Sequence, residues 1–439
     1  MPADVDRRQW IKTAVAGAVG VVCAQRLDAS APGPAAPKPT KAPGGLPSSS
    51  TLAGDDADWA QVQRSFVVGR DIVALNHAGA GCCPQPVLEA VEHYVHEVET
   101  LPSWNLFQYG PKEPIRAGLA RMFACDSEEV AILRNATEAL DIVLLGLPLR
   151  AGDEVLTTTL DYWAMLDALD QRVKRDGIVV KKVRMPVPAN SQDELFDAFA
   201  SAVTDRTRLI LVSHPVNLTG QHFPVARICE MAHARGIEVL VDAAQSFGQF
   251  EVTAGSLQCD YMGTSLHKWL MGPKGTGMLY VKREKIPKLW PLFPAGATLP
   301  PDNIRKFEQI GTAPMTMYAL SEAIQFHQAI GTVRIGDRLR ALTQAWTDPL
   351  RANERFEFRT SFAPGMSNVI ATFHLKGTSS GELWERLFKQ EKFFTFNVAR
   401  RTQEFQGIRI SVGLSTTAAE IDRFVTTMLR LARDLPVAH

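Results

Sequence analysis

The stretch "VLVDAAQSFGQFEVTAGSLQCDYMGTSLHKWLMGPKGTG" (residues 239–277) ends two apolar, strand-like runs in charged side chains. The first run ends at Asp242 and the second at His267 and Lys268, with glycine-rich turns nearby. Withdrawing a carboxylate or an ammonium group from water is costly unless another group pairs with it. These charged strand ends therefore indicate a ligand site.

Short apolar runs alternate with helical patterns around this stretch. "RLILVSH" (208–214) is typical of a buried strand, "PVARICEMAHARG" (224–236) of a helix that starts at proline and ends before glycine, and "IEVLVDAA" (237–244) of the next strand. This order predicts an α/β fold with a mainly parallel sheet covered on both faces. A long helical pattern after residue 320, followed by alternating strands and helices, predicts a second, smaller α/β domain.

Polar residues follow the predicted strands at the points where the strands end. In open α/β sheets the ligand lies beyond the carboxyl ends of the strands. We therefore expect one crevice to contain Thr157–Tyr162, Ser213–Asn217, Asp242–Gln245 and Ser265–Lys268.

Lys268 and Asp242 indicate the chemistry of that crevice. Desolvation favours the neutral amine of a buried lysine, which makes it a Schiff-base nucleophile, whereas a lysine that reaches solvent has no such role. A carboxylate at the end of the preceding strand is what a protonated pyridine nitrogen needs. Pyridoxal-phosphate enzymes use both groups, because the lysine holds the aldehyde and the aspartate keeps the ring cationic and electron-withdrawing. The pair predicts pyridoxal 5'-phosphate as the cofactor.

Two segments carry a family resemblance. "VDAAQSFG" and "TSLHKWLMGPKGTG" resemble the D-x-A-Q and S-x-H-K elements of the class V branch of fold-type I pyridoxal-phosphate enzymes, which includes cysteine desulfurases and isopenicillin N epimerase-like proteins. The resemblance extends over roughly residues 70–430. It implies an aspartate aminotransferase-like fold, with a mainly parallel, seven-stranded sheet in a large domain and a smaller C-terminal α/β domain. The implied divisions are an N-terminal segment lining the active site (59–90), a cofactor-binding large domain (91–318) and a small domain (319–439).

The resemblance assigns five residues to the cofactor phosphate. Ala136 and Thr137 in "RNATEAL" stand at a predicted helix N-terminus, where oriented N–H groups and the helix dipole favour a dianion. Ser265 and His267 match the phosphate side of the S-x-H-K element. Thr312 in "IGTAPM" matches a residue that reaches the phosphate of the partner subunit, which implies a homodimer with shared active sites.

The resemblance assigns three further residues to the cofactor ring. Tyr162 in "LDYWAML" matches the position that stacks on the pyridine face. Asn217 and Gln245 match donors to the phenolic oxygen of the ring. Tyr162 would otherwise be a core or rim residue, just as Thr137 would otherwise be an ordinary N-terminal helix residue.

Three residues are implied to contact the substrate. Arg409 in "GIRISVGLS" matches the arginine that clamps the substrate carboxylate, a bidentate task that suits a guanidinium group. Asn76 and His77 in "LNHAGAG" lie on the segment that resembles the substrate-lining strand. A surface ion pair remains the alternative for Arg409. No known ligand spacing links His77 to Cys82 and Cys83, so we predict no metal site.

One departure from the cysteine desulfurases bears on the reaction. They need a nucleophilic cysteine shortly before the carboxylate-binding arginine, but "EKFFTFNVARRTQEFQGIRIS" (391–411) contains none. What remains is chemistry at Cα of an amino acid or a peptide-like substrate, with Lys268 as the base. Transamination, epimerisation and β-elimination share that first step, so the sequence leaves them open.

Other classes of function fit the sequence less well. A non-catalytic, small-molecule-binding descendant is expected to lose Lys268, Asp242 or the phosphate cup, and all are present. A dinucleotide-dependent oxidoreductase needs GxGxxG after the first strand, which is missing. Lysine plus arginine (47) equals aspartate plus glutamate (47), so there is no basic field for nucleic acid.

The N-terminal residues predict export. Arg7 and Arg8 precede the short apolar run "TAVAGAVGVVCA" (13–24), which matches a twin-arginine signal over residues 1–31. The run is too short for a stable membrane anchor, and an ordinary amphipathic helix is the alternative. Residues 32–58 are rich in Pro, Gly, Ser and Ala and predict a mobile spacer. We therefore expect a periplasmic protein carried by the twin-arginine translocase.

Overall fold

The computed structural model describes residues 56–100, 112–296, 298–311 and 315–435. The predicted signal peptide, almost all of the spacer and Thr312 lie outside these residues. The described helices are α1 (Asp56–Arg64), α2 (Gln85–Thr100), α3 (Lys112–Phe123), α4 (Ala136–Gly146), α5 (Trp163–Asp176), α6 (Gln192–Ala202), α7 (Val225–His233), α8 (Ala254–Leu257), α9 (Leu320–Ile330), α10 (Thr332–Arg351), α11 (Ser380–Lys389) and α12 (Ala418–Asp434).

The described strands form a large sheet, a small sheet and a short two-stranded pair. They are β1 (Val73–Ala74), β2 (Val130–Leu133), β3 (Glu154–Thr158), β4 (Val179–Val183), β5 (Thr207–Ser213), β6 (Glu238–Asp242), β7 (Tyr261–Ser265), β8 (Gly277–Val281), β9 (Phe356–Phe358), β10 (Ile370–Leu375), β11 (Phe393–Phe394), β12 (Phe396–Asn397) and β13 (Ile408–Ser411).

The large sheet has the order β2-β8-β7-β6-β5-β3-β4. Its strands pair in parallel except β8, which is antiparallel to both β2 and β7. The predicted α/β fold with a mainly parallel, seven-stranded sheet is therefore confirmed. The interior strands are almost entirely buried because helices cover both faces of the sheet. Edge strand β4, by contrast, carries Lys181 and Lys182, which discourage pairing with another chain.

The carboxyl ends of β5, β6 and β7 lie side by side. Ser213 is in register with Asp242, and Asp242 with Gly263. The polar residues that follow these strands consequently meet at one edge of the sheet, where the sequence predicted the crevice.

A four-stranded antiparallel sheet, β12-β13-β10-β9, belongs to the C-terminal part of the chain. Helices α10 and α12 pack against it, and Trp346, Phe373 and Phe424 lie in the shared core. The N-terminal segment is fastened to this region, since β1 pairs in parallel with β11 and the backbone of Asn76 bridges to Ser411. This long-range pairing carries the segment after β1 to the crevice.

Candidate active site

A cavity of about 300 Å³ opens at the carboxyl edge of the large sheet. Most of the predicted site residues line it. They are Asn76, Ala136, Thr137, Tyr162, Asn217, Asp242, Gln245, Ser265, His267, Lys268 and Arg409. The structure thus brings together residues that follow β3, β5, β6 and β7, the N-terminus of α4, strand β13 and the N-terminal segment.

Lys268 and Asp242 both line this cavity, and the charge of each affects the pKa of the other. Burial lowers the pKa of Lys268 to about 8, and the charge of Asp242 opposes that shift. Burial raises the pKa of Asp242 to about 6, against the effects of Lys268 and of the Ala244 backbone N–H, which donates to Oδ1 over 3.0 Å. The amine is therefore prepared to act as a nucleophile or base near neutral pH.

The N-terminus of α4 forms one end of the cavity. Asn135 caps the helix, its side chain accepting from the N–H of Glu138 over 2.9 Å. The N–H of Ala136 donates to Oγ of Ser265 over 2.9 Å, which joins the helix to the end of β7. A Cβ on Gly277 would lie 2.6 Å from the Asn135 backbone, so only glycine lets β8 approach this helix end. Such a cup suits a phosphate group.

His267 lies beside this cup and is neutral at physiological pH. Burial and the neighbouring Lys268 lower its pKa to about 4. Its Nδ1 is 3.3 Å from the carbonyl oxygen of Thr276. Because a carbonyl oxygen only accepts, Nδ1 carries the proton of the neutral ring, and Nε2 is left as an acceptor.

Gln245 is held in a defined orientation. Its Oε1 accepts from the indole Nε1 of Trp269 over 3.0 Å, and its Nε2 donates to the carbonyl of Ala78 over 3.0 Å. An amide nitrogen has two N–H donors, so one is left for a ligand. Sequence reasoning missed Trp269, although its place directly after Lys268 was a signal.

Tyr162 stands at the start of α5 and is half-buried in the cavity wall. The preceding residue, Asp161, is buried and accepts hydrogen bonds from the hydroxyls of Thr157, Thr158 and Ser213. These bonds tie the loop before Tyr162 to the end of β5. Asp161 has no motif in the sequence that would have identified it.

Arg409 is buried and has spare donor capacity. Its Nη1 donates to the carbonyl of Asn217 over 2.7 Å and its Nη2 to Oδ1 of Asn76 over 2.6 Å. The guanidinium lies 4.4 Å over the ring of Phe396. Its Nε has no partner among the described residues, and burial lowers its pKa to about 10. A buried N–H left unpaired is costly, so this arginine fits an anionic ligand.

His77 is the predicted site residue that the structure does not bring to the cavity wall. Its Nε2 lies 3.2 Å from the backbone oxygen of Lys268, and its ring is 4.9 Å from that of Trp269. A Cβ on Gly413 would lie 2.2 Å from Nδ1, so the ring fills a tight space. In the structure His77 packs behind the Lys268 backbone, and its expected substrate contact stays a prediction.

The groups in this cavity match the chemistry of pyridoxal phosphate. Lys268 offers an amine for the aldehyde, Asp242 a carboxylate for the pyridine nitrogen, and the α4 N-terminus a cup for the phosphate. Arg409, whose Nε–H has no partner among the described residues, adds a cationic donor that suits a carboxylate. Over the part of the chain that the structure describes, no cysteine lines the cavity and no cluster of His, Cys, Asp or Glu is placed to hold a metal ion.

Comparisons with known proteins agree with this geometry. Over residues 73–424 the chain matches the family described as Aminotransferase class-V. Isopenicillin N epimerase of Streptomyces clavuligerus is 28% identical over 391 residues, covering 85% of this chain and 98% of the epimerase. A probable cysteine desulfurase of Halobacterium salinarum is 29% identical over 313 residues, covering 67% of this chain and 74% of the desulfurase.

Solved structures share the fold. The apo cysteine desulfurase from Thermococcus onnurineus NA1 has a TM-score of 0.73 at 20% identity, covering 86% of this chain and 98% of that one. The cystine C-S lyase C-DES in complex with cysteine persulfide has a TM-score of 0.74 at 24% identity, covering 84% and 99%. In another structure of C-DES, with a TM-score of 0.73 at 24% identity and coverage of 85% and 99%, glycine is covalently linked to the PLP cofactor.

Proposed function

We propose, from the premise that the chain belongs to the aminotransferase class-V family, that it is an enzyme acting at Cα of an amino acid or of a substrate that contains one. Pyridoxal phosphate is its cofactor. When bound, this group supplies an electron sink that acidifies the Cα–H of an attached amino acid. The observation that carries the proposal is that Lys268, Asp242 and a buried arginine with an unused donor line one cavity.

Lys268 is the base in this proposal. With its pKa lowered to about 8, a substantial fraction of the amine is neutral at physiological pH and can accept the Cα proton. Asp242 is buried at the end of β6 and would hold its carboxylate toward the ring nitrogen. Its raised pKa reflects the cost of a buried charge, which a cationic partner offsets.

Arg409 orients the substrate. The bonds to Asn217 and Asn76 hold the guanidinium in place, and Nε remains to bind the α-carboxylate. A fixed carboxylate places the Cα–H relative to Lys268, which is the positioning that proton transfer requires. Tyr162 lies near enough to Arg409 to influence its charge electrostatically.

Epimerisation or amino transfer is favoured over sulfur transfer. No cysteine occurs between residue 259 and the C-terminus, and Cys83, buried near the site, donates to the carbonyl of Gly272. A persulfide route therefore has no nucleophile on the segment before Arg409. An isopenicillin N epimerase and a cysteine desulfurase are covered to similar extents, 98% and 95%, so the missing cysteine carries this preference.

Hydrogen exchange in heavy water tests the proposal. The holoenzyme is incubated with a panel of amino acids, and Cα deuteration is followed by NMR. Deuteration with inversion indicates epimerisation, and formation of the pyridoxamine form of the cofactor indicates transamination. Lys268→Ala should lower exchange by at least about a hundredfold, whereas Lys376→Ala, an exposed lysine, should not. Exchange that persists in Lys268→Ala contradicts the proposed base.

We also propose a homodimer and export to the periplasm. Both rest on the resemblance of the Thr312 segment and of residues 1–31, which lie outside the described residues. Sedimentation should give twice the mass of the chain. Replacing Arg7 and Arg8 by lysine should retain the protein in the cytoplasm, and normal export of that variant would contradict the signal. In the described part of the chain, no helix combines the length and apolarity needed to cross a bilayer.

A further inference from the structure

Arg401 is a second guanidinium at the cavity. It follows the short turn Val398–Arg400, is exposed, and lines the cavity beside Trp163. Its guanidinium carbon lies 4.7 Å from the centroid of the Trp163 ring. Stacking on an indole holds the planar guanidinium in one orientation while leaving its edge free for a ligand.

The cavity holds two guanidinium groups that have no acidic side chain to pair with them among the described lining residues. Its lining includes the cationic side chains of Lys268, Arg401 and Arg409, and Asp242 is the only acidic side chain among the described lining residues. Lys268 and Asp242 are both used to hold the cofactor. The cofactor phosphate is assigned to the N-terminus of α4, at Ala136 and Thr137. Two arginines thus remain for the substrate, and its α-carboxylate accounts for Arg409 alone.

No acidic side chain of the described residues pairs with Arg401. Within the described residues, the Arg401 side chain forms no hydrogen bond or ion pair beyond its contact with Trp163. The nearest acid along the chain, Glu404, pairs with Arg184 over 3.4 Å at a different cavity. The neighbouring Arg400 stacks on Trp384 instead and does not line the site.

We propose that Arg401, supported by Trp163, binds a second acidic group of the substrate. This inference rests on the proposed function and names its substrate class, which is an amino acid or a peptide with a carboxylate distal to the reacting Cα. Arg409 binds the α-carboxylate and Arg401 the distal one. A guanidinium distinguishes a carboxylate from the isosteric amide, because only the carboxylate accepts two charge-assisted hydrogen bonds.

Isosteric pairs test the subsite in the holoenzyme. The pairs are L-glutamate with L-glutamine, and L-2-aminoadipate with its 6-amide, and Cα deuteration gives kcat and KM for each. For at least one of the two pairs, we expect the KM of the acid to be about tenfold below that of its amide, a factor that corresponds to about 1.4 kcal/mol. Arg401→Gln should abolish this difference between acid and amide. Arg400→Gln, the matched control, should retain it.

The result that overturns the subsite is an acid preference that is missing from the wild type or survives in Arg401→Gln. A binding measurement separates this failure from failure of the proposed function. Calorimetry of the holoenzyme with glutarate and adipate, against their monoamides, needs no turnover. A preference for the diacid that depends on Arg401 supports the subsite even if no Cα–H exchanges. If the wild type shows no such preference, the subsite is wrong. Exchange that fails for all amino acids counts against the proposed function alone.

Discussion

The indole N–H of Trp269 donates to Oε1 of Gln245 over 3.0 Å. This bond turns the Gln245 amide so that its nitrogen lies toward Ala78 and the cavity. Trp269 itself does not line the cavity and is almost fully buried. It is therefore a positioning residue that acts on the cofactor through Gln245.

Trp269→Phe should alter the bound cofactor as well as stability. The substitution removes the donor that fixes Gln245, so the amide can rotate and its bond to the cofactor weakens. We expect a shift in the pH midpoint of cofactor absorbance and a loss of about 1–3 kcal/mol of stability.

Trp346→Phe is the matched control for this prediction. Trp346 is fully buried in the C-terminal core, and its Nε1 has no hydrogen-bond partner among the described residues. It should lose packing energy without changing the absorbance titration. Equal titrations for the two variants would argue against a positioning role for Trp269.

Gly277→Ala should weaken cofactor binding through the backbone of α4. The added Cβ would lie 2.6 Å from three backbone atoms of Asn135, and backbone cannot move aside as a flexible side chain can. We expect the helix N-terminus to shift, with at least about a tenfold rise in the cofactor Kd and a stability loss of about 1–3 kcal/mol. Equilibrium dialysis measures the Kd. Gly69→Ala, where a Cβ meets nothing within 4 Å, should bind normally.

Asp242→Asn should lower the pKa of Lys268 in the apoprotein. Burial holds that pKa at about 8, and the Asp242 carboxylate is the charge that opposes the lowering. Removing the negative charge favours the neutral amine, so more of it is reactive at pH 7. Competitive acetylation of Lys268, read by mass spectrometry from pH 6 to 10, should give a midpoint below 8. A Lys268 midpoint that is unchanged or higher in Asp242→Asn contradicts the coupling of the two residues. The control is Asp348→Asn at an exposed position, and an equal fall of the Lys268 midpoint in that variant would contradict it as well.

The neighbouring rings of buried His214 and partly buried His222 should make the protein sensitive to acid. Burial lowers their pKa values to about 4 and about 3, against about 6.5 in an unfolded chain. Below pH 6.5 the unfolded state therefore binds more protons than the native state, and stability falls as pH drops toward 4. Each such group contributes about 1.4 kcal/mol per pH unit.

His222→Phe should make this decline shallower by about 1 kcal/mol per pH unit. The phenyl ring preserves the stacking on Phe250, where the imidazole lies 5.2 Å away at 23°. Urea unfolding at several pH values between 7 and 4 measures the slope. His96→Phe, at an exposed position of α2, should leave the slope of stability against pH unchanged. An unchanged slope in His222→Phe would show that His222 does not cause the acid sensitivity.

Local sequence predicted most of the secondary structure. The helix predicted over residues 224–236 is α7 (Val225–His233), and Gly236 follows it in the left-handed region at φ 67°. Strand β6 also lies within its predicted run. These elements follow from signals a few residues apart, such as apolar spacing, proline at a start and glycine at an end.

Strand order could not be predicted in the same way. The antiparallel placement of β8 between β2 and β7 depends on pairs such as Val130 with Tyr280, which are far apart in the chain. The half-exposed edge strand β4 has a weak apolar pattern because only part of it is covered. Pairing of this kind is decided by burial across the whole domain rather than by propensity.

The sequence by itself determined the chemistry of the site, because Lys268 and Asp242 stand at strand ends in patterns that a buried amine and carboxylate require. Only the tertiary structure decided which side chains touch, such as Asn76 with Arg409 and Trp269 with Gln245. The physical reason is that a residue's chemistry is local. Its partners are set by long-range packing and strand pairing, which bring together positions hundreds of residues apart, as β1 with β11 shows.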